Sequence, residues 1–265
     1  MTEEQIKQAG GGDVLHIPTV MGAVVVIHNV QGIGTGLKLT PEALSGIFLG
    51  EIKKWNDPRI AGDNPGVELP DAAIAVVHRS DGSGTTSIFT DYLSSVSPDW
   101  KSKVGKGTSV NWPAGLGAKG NEGVAGQVKQ TPGSVGYVEL AYAIQNKLAH
   151  ASLENRAGKF VEASIESTTA AAAGAAPTMP DNLRVSLVNA PGEDSYPIAG
   201  FTWLLVHREQ RDGPKGKALA DMVWWGIHDG QMYASDLLYA PLPPAVVAKA
   251  EKMVKSITYQ GQPLR

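Results

Sequence analysis

The sequence predicts an α/β protein with two lobes, and three observations support this prediction. The first is the number of turn-forming residues, 31 glycines and 17 prolines in 265 residues, which implies many short connections between regular elements. The second is a strand, a glycine-rich loop and a helix in direct succession over residues 74–93. The third is a pair of long apolar strands, 14–29 and 196–207, which lie on either side of a loop-rich middle and suggest two connections between lobes.

The first third of the chain contains three predicted elements before that loop. A helix follows Thr2, its predicted N-cap, and stops at the triple glycine 10–12. The segment 14–29 is rich in β-branched residues and apolar almost throughout, which predicts a strand buried on both faces. Thr40 and Pro41 then form a cap and a first-turn proline, which predict the start of a second helix.

The second half of the chain is also predicted to contain both strands and helices. Residues 134–138 are predicted as a strand, and a helical pattern begins near Ser164. The alanine run 170–176 is predicted to be the solvent-facing end of that helix. Two further helical patterns, 218–225 and 244–257, follow the second long strand.

Composition excludes several classes of protein. The chain is 42% hydrophobic and 18% charged with a net charge of −3, which is typical of a globular protein and argues against binding to nucleic acid. It has no cysteine, so disulfides and thiolate metal sites are absent. The polar first residues lack the basic and then apolar pattern of a secretory signal peptide.

The glycine-rich loop at residues 79–86 has the composition of an anion site. A loop between a strand end and a helix start leaves the first backbone N–H groups of the helix without partners, at the positive end of its dipole. Gly82 and Gly84 remove side chains that would block a close approach. Hydroxyl donors are supplied by Ser83, Thr85 and Thr86.

Arg79 and Asp81 complete this predicted site. Arginine offers a planar pair of donors suited to a tetrahedral oxyanion, and Asp81 is placed to hold its guanidinium. The alternative is that Ser83 only caps the helix and Arg79 pairs with a surface acid. The loop matches neither a nucleotide-binding P-loop, whose lysine position is held by Thr85, nor a nucleophile elbow. It is therefore predicted to bind rather than to catalyse.

No other motif predicts a cofactor or a metal. Residues 115–120 match G-x-G-x-x-G but follow a proline turn, so we interpret them as a flexible turn before a helix near Gly123. Lys119 and Asn121 in this segment are candidates for lining a cleft. The six histidines are scattered, without metal-ligand spacing.

Five segments together resemble the phosphate-binding proteins of bacterial ABC phosphate transporters, the PstS type. They occur in family order and comprise Ile17-Pro-Thr-Val-Met-Gly22, Gly50-Glu-Ile-Lys-Lys-Trp-Asn-Asp57, His78-Arg-Ser-Asp-Gly-Ser-Gly-Thr-Thr-Ser87, Gly115-Leu-Gly-Ala-Lys-Gly-Asn-Glu-Gly123 and Gly133-Ser-Val-Gly-Tyr-Val-Glu139. The resemblance implies the two-lobed periplasmic-binding-protein fold of type II. It also implies that phosphate is bound by the residues at positions matching the family's ligands, which are Arg79, Ser83, Gly84 and Thr85. Asp81 matches the supporting acid that pairs with the arginine.

The resemblance carries expectations about domains. Residues 22–199 are expected to form the second lobe, which holds the anion loop, while 1–21 and 200–265 are the remnant of an incomplete first lobe. Family members open with a signal peptide and further phosphate ligands, among them an aspartate that accepts the proton of hydrogen phosphate. Met1 is therefore expected to be a truncated or misassigned start, and this chain is expected to separate phosphate from sulfate poorly.

The expected function is high-affinity phosphate binding and delivery to the membrane subunits of an ABC transporter, in the periplasm, without a cofactor and without enzymatic activity. Two alternatives remain at this point. One is a phosphatase-like protein on the same scaffold, and the other is a signalling or adhesion module that has lost transport.

Overall fold

The computed structural model describes residues 3–9 and 14–265, so Thr2 and the triple glycine 10–12 lie outside the described residues. The helices within this range are α1 (Glu3–Gln8), α2 (Pro41–Phe48), α3 (Pro58–Ala61), α4 (Gly84–Val96), α5 (Pro98–Lys103), α6 (Gly120–Gln130), α7 (Leu140–Gln145), α8 (Ile165–Ala175), α9 (Gly213–Ile227) and α10 (Pro244–Lys255). Short 3₁₀ helices span Ala176–Thr178, Asp229–Tyr233 and Ser235–Leu237. None of the helices in the described part of the chain is long and apolar enough to cross a bilayer.

The strands of the described residues are β1 (Val14–His28), β2 (Lys38–Leu39), β3 (Ala75–Arg79), β4 (Leu116–Ala118), β5 (Ser134–Glu139), β6 (Ala149–His150), β7 (Ser152–Glu154), β8 (Phe160–Val161), β9 (Ala199–His207), β10 (Glu209–Gln210), β11 (Thr258–Tyr259) and β12 (Gln262–Pro263). The predicted mixture of helices and strands is confirmed. Both long strands exist, as β1 and β9, and they pair with each other.

The chain folds into two compact units. The first comprises Met1–Met21, Ala175–Ser186 and Phe201–Arg265, and the second comprises Gly22–Gly174 and Leu187–Gly200. The divisions at residues 21 and 200 fall inside β1 and β9, so each long strand contributes to both units.

The larger unit is built on a mixed sheet with the strand order β4-β3-β5-β1-β6. Strands β3, β4 and β5 run parallel, with Val76 opposite Val135 and Arg79 opposite Ala118. Strand β1 is antiparallel to β5. Because this sheet is covered by helices, its core is made of large, fully buried side chains, among them Phe48, Trp55, Phe89, Tyr92, Trp100 and Tyr137.

The start of α2 follows the predicted capping chemistry. The Thr40 hydroxyl oxygen accepts a hydrogen bond from the Ala43 amide at 3.2 Å, and Pro41 is the first helical residue. Proline is tolerated there because its missing N–H would have no partner within the helix. The prediction from residues 40–44 is confirmed.

The alanine run corrects one prediction. Helix α8 contains residues 170–175 of this run, but Ala171, Ala172 and Ala175 are buried, so the predicted solvent-facing helix end is wrong. Alanine permits close packing of helices because its side chain is small. The same composition therefore suits a tightly packed face as well as an exposed one, and sequence alone does not separate the two.

The smaller unit contains α9 and α10, which pack against each other through buried residues that include Val223, Ile227, Val246 and Ala250. Its three-stranded sheet has the order β10-β11-β12. His228 at the end of α9 contacts Glu251 of α10, with Nε2 and Oε1 3.0 Å apart. Both helical patterns predicted for this part of the chain are confirmed.

Candidate anion-binding site

The residues predicted to bind phosphate, together with the supporting Asp81, all lie in one segment of the larger unit, residues 79–85, which we call the anion loop. Strand β3 ends at Arg79 and helix α4 begins at Gly84. Ser83 is the N-cap, with φ −142° and ψ 130°, and its hydroxyl accepts the Thr86 amide at 3.1 Å. The amides of Gly84 and Thr85 belong to the same first turn, where N–H groups have no carbonyl partner within the helix.

Open space surrounds the glycines of the anion loop. A Cβ atom added at Gly82 or at Gly84 would meet no other atom within 4 Å. Both residues are exposed, whereas Ser83 is buried. A ligand is therefore able to approach the backbone at the start of α4.

Arg79 is held by Asp81 through two hydrogen bonds. Nε donates to Oδ1 at 2.8 Å and Nη2 donates to Oδ2 at 2.7 Å. The Arg79 side chain is only 9% exposed, against 31% for that of Asp81. The arginine holds the pKa of the Asp81 carboxyl well below its usual value, and the same hydrogen bonds raise the pKa of Arg79. Both groups are charged at neutral pH, and the guanidinium plane is fixed.

A second helix start adjoins this ion pair. Because β4 pairs with β3, Gly120 at the beginning of α6 donates its amide to Asp81 Oδ1 at 3.2 Å. Asn121 accepts a hydrogen bond from Arg79 Nη1 through Oδ1 at 3.3 Å. The interpretation of residues 115–120 as a turn is wrong, because Leu116–Ala118 form β4 and pair with β3. The helix predicted near Gly123 exists as α6 and begins three residues earlier, at Gly120. Leu-Gly-Ala has little intrinsic tendency to form a strand, and its pairing with β3 determines its structure.

Tyr137 lies behind the anion loop and was not predicted from the sequence as part of the site. Its hydroxyl accepts the Arg79 amide at 3.3 Å and lies 2.6 Å from the Thr86 hydroxyl. The residue is fully buried in β5. In the sequence it belongs to an ordinary buried strand, so no local signal marks it.

The site offers a fixed guanidinium, the open start of a helix and nearby hydroxyl groups. This combination suits a tetrahedral oxyanion because charge-assisted hydrogen bonds and helix N-termini both favour negative charge. Among the described residues, no group of three or more histidine or acidic side chains is arranged to hold a metal ion.

Comparison with known proteins identifies the family. A model described as a PBP superfamily domain matches residues 1–223. The phosphate-binding protein PstS of Xylella fastidiosa (strain 9a5c) is 47% identical over 252 residues, which cover 95% of this chain and 68% of that protein. This chain belongs to the PstS family of the PBP superfamily.

Solved structures of other proteins also share the fold of this chain. One is a high-affinity periplasmic phosphate-binding protein bound with phosphate, with a TM-score of 0.70 and 20% identity, covering 95% of this chain and 76% of that one. Another is a putative phosphate ABC transporter substrate-binding protein with bound phosphate from Clostridium perfringens, with a TM-score of 0.59 and 18% identity. It covers 92% of this chain and 76% of that one. At these identities the similarity shows the fold, and the predicted binding-protein fold is confirmed.

Proposed function

We propose that this PstS-family chain binds inorganic phosphate and delivers it to the membrane subunits of an ABC transporter in phosphate uptake. The name of the 47% identical relative supports phosphate as the ligand. The solved structure from Clostridium perfringens, described as a putative phosphate ABC transporter substrate-binding protein, supports the link to transport. We place the protein in the periplasm because one of the solved structures with the same fold is that of a periplasmic phosphate-binding protein.

Within the chain, we assign phosphate binding to Arg79, Ser83, Gly84 and Thr85, with Asp81 in support. The observation that carries this assignment is the nearly buried Arg79 guanidinium, fixed by Asp81 in the same loop as the open start of α4. A guanidinium that is already oriented loses less side-chain entropy when it binds an anion. The N–H groups of Gly84 and Thr85 supply donors that require no further movement.

The two compact units correspond in this proposal to parts of the two lobes of a binding protein. The larger unit, which contains the anion loop, is assigned to the second lobe. The smaller unit is assigned to the first lobe. Residues 175–186 group with the smaller unit in the structure, so we place this segment with the first lobe.

A binding protein is expected to hold phosphate without turning over its esters. We therefore expect inorganic phosphate to raise the unfolding temperature of the chain, because a ligand that binds only the folded state stabilises it. We expect no hydrolysis of a chromogenic phosphate ester. Absence of any phosphate-dependent shift would contradict the proposal and favour a module without transport, and turnover that persists on further purification would favour a phosphatase.

A further inference from the structure

The proposed phosphate donors come from two different elements of the larger unit. Arg79 is the last residue of β3, whereas the amides of Gly84 and Thr85 belong to the first turn of α4. The residues between them include the exposed Gly82, around which the space is open. Simultaneous contact with one anion requires a fixed separation between the strand end and the helix start.

One hydroxyl joins these two elements directly. The Arg79 amide donates to the Tyr137 hydroxyl oxygen at 3.3 Å, and the same oxygen lies 2.6 Å from the hydroxyl of Thr86 in the first turn of α4. Thr86 and Tyr137 are both buried, so water does not readily replace these bonds. The phenol therefore connects the strand that carries the guanidinium with the helix that carries the amides.

Aromatic packing holds the ring of Tyr137 independently of its hydroxyl. The ring stacks on Phe89 of α4, with centroids 4.2 Å apart and planes 9° from parallel. Trp112 covers it at 5.6 Å and itself stacks on His78 of β3 at 4.7 Å. Burial raises the pKa of Tyr137 to about 12, so the hydroxyl keeps its proton at neutral pH. Replacement by phenylalanine thus removes the bridge and retains the packing.

We propose that Tyr137 is a positioning residue for the anion site, whose hydroxyl fixes the separation between Arg79 and the first turn of α4. It acts through these neighbours and does not itself contact the anion. The role rests on the proposed function, since it concerns the phosphate affinity of this loop. Its physical basis is preorganisation: donors already held in place bind without a further entropic cost.

A matched pair of variants separates positioning from general stability. Tyr137→Phe removes the bridge, while Tyr196→Phe removes a buried hydroxyl of the same unit that donates to the Val24 carbonyl at 3.0 Å. We expect Tyr137→Phe to weaken phosphate binding about tenfold in titration calorimetry, because one buried hydrogen-bond bridge is lost. Tyr196→Phe is expected to lower stability and to leave the affinity within about twofold. Unchanged affinity in Tyr137→Phe, or an equal loss in both variants, would overturn the proposal.

Thr86 provides an independent test of the same bridge. Thr86→Val removes the hydroxyl and is expected to weaken binding as much as Tyr137→Phe does, whereas Thr86→Ser keeps the hydroxyl and is expected to retain the affinity. The double variant Tyr137→Phe/Thr86→Val is expected to lose little more than either single variant, because both changes break one connection. Additive losses would contradict a shared bridge.

Amide hydrogen exchange without any anion separates this proposal from the proposed function. We expect Tyr137→Phe to speed exchange of the Arg79 amide at least about tenfold, because its hydrogen-bond acceptor is gone. Tyr196→Phe is expected to leave that amide unchanged. If the parent protein fails to bind phosphate, the proposed function is wrong. The exchange rates still show whether the Tyr137 hydroxyl holds the Arg79 amide. Unchanged Arg79 exchange in Tyr137→Phe would overturn the proposal in either case.

Discussion

The Arg79 guanidinium and the Asp81 carboxylate form a two-pronged ion pair, with both carboxylate oxygens within 2.8 Å of a guanidinium nitrogen. Asp81 also accepts the Gly120 amide. Its low pKa keeps it ionised, so the carboxylate is occupied by three donors. It is poorly placed to accept a fourth hydrogen bond from the proton of hydrogen phosphate.

Asp81→Asn is therefore expected to leave anion selectivity unchanged. The ratio of the phosphate and sulfate dissociation constants, measured by competition against labelled phosphate, is expected to stay within about twofold of the parent. Asp71→Asn is a suitable control, because Asp71 pairs with Lys54 in an exposed ion pair of the same unit. A tenfold change in the ratio for Asp81→Asn alone would show that Asp81 does accept that proton.

Affinity for phosphate is expected to depend only weakly on ionic strength. The chain has a net charge of −3, so long-range attraction does not favour an anion, and binding relies on short-range hydrogen bonds and the helix dipole. Between about 0.02 and 0.2 M salt we expect less than a threefold change in the dissociation constant. A steep loss of affinity with added salt would place the site on a basic surface patch instead.

His28 makes the stability of the larger unit sensitive to acid. The residue is buried at the end of β1, and burial, followed by the nearby His150, lowers the pKa of its imidazole to about 4. A weaker backbone interaction with Gly34 acts in the opposite direction. Because the unfolded chain takes up this proton near pH 6.5 and the folded chain only near pH 4, stability falls as the pH decreases through that window.

We expect this histidine to account for about 3 kcal/mol of lost unfolding free energy between pH 6.5 and pH 4. Urea denaturation of His28→Leu is expected to show a smaller loss over that range, because the titrating group is gone. His207→Gln, at an exposed position, serves as the control and is expected to follow the parent. Parallel pH curves for the parent and His28→Leu would contradict the assignment.

Replacement of each of two glycines by alanine is expected to change the free energy of unfolding in opposite directions. Gly115 has φ +106°, and a Cβ there would lie 2.6 Å from the Val76 carbonyl oxygen, so Gly115→Ala is expected to cost about 2 kcal/mol. Gly126 lies inside α6 with no atom within 4 Å of a built Cβ. Gly126→Ala is expected to stabilise by about 0.5–1 kcal/mol, because glycine is a poor helix former. Chemical denaturation of both variants tests this, and equal effects would contradict the structure around Gly115.

The local part of the site could be predicted from the sequence because its chemistry is encoded in neighbouring residues. The apolar run before Arg79, the glycines of the anion loop and the capping Ser83 specify a strand, a loop and a helix, which the structure contains as β3 and α4. The preferences of these residues for strand, turn and cap positions depend little on distant contacts. The start of α2 was predictable for the same reason.

The contacts of Arg79 with distant residues could not be predicted in this way, although the sequence did mark Asn121 as a candidate for lining a cleft. Asn121 and Tyr137 are 42 and 58 residues from Arg79 in the chain, and only the pairing of β4 and β5 with β3 brings them to it. Asn121 follows a three-residue strand with little strand preference, and Tyr137 sits in a strand pattern that predicts burial but not a partner. Such contacts depend on sheet order, which local patterns do not specify.

Arg79 of the anion loop is the residue on which the proposed phosphate binding depends most, and titration calorimetry with parallel variants measures its contribution. Arg59 is a matched control, because it pairs with Asp57 two residues away in the same two-pronged manner and in the same unit. We predict that the parent binds phosphate, that Arg79→Ala loses about 2–5 kcal/mol of binding free energy, and that Arg59→Ala binds like the parent. Unchanged phosphate affinity in Arg79→Ala, or an equal loss in Arg59→Ala, would contradict phosphate binding by Arg79.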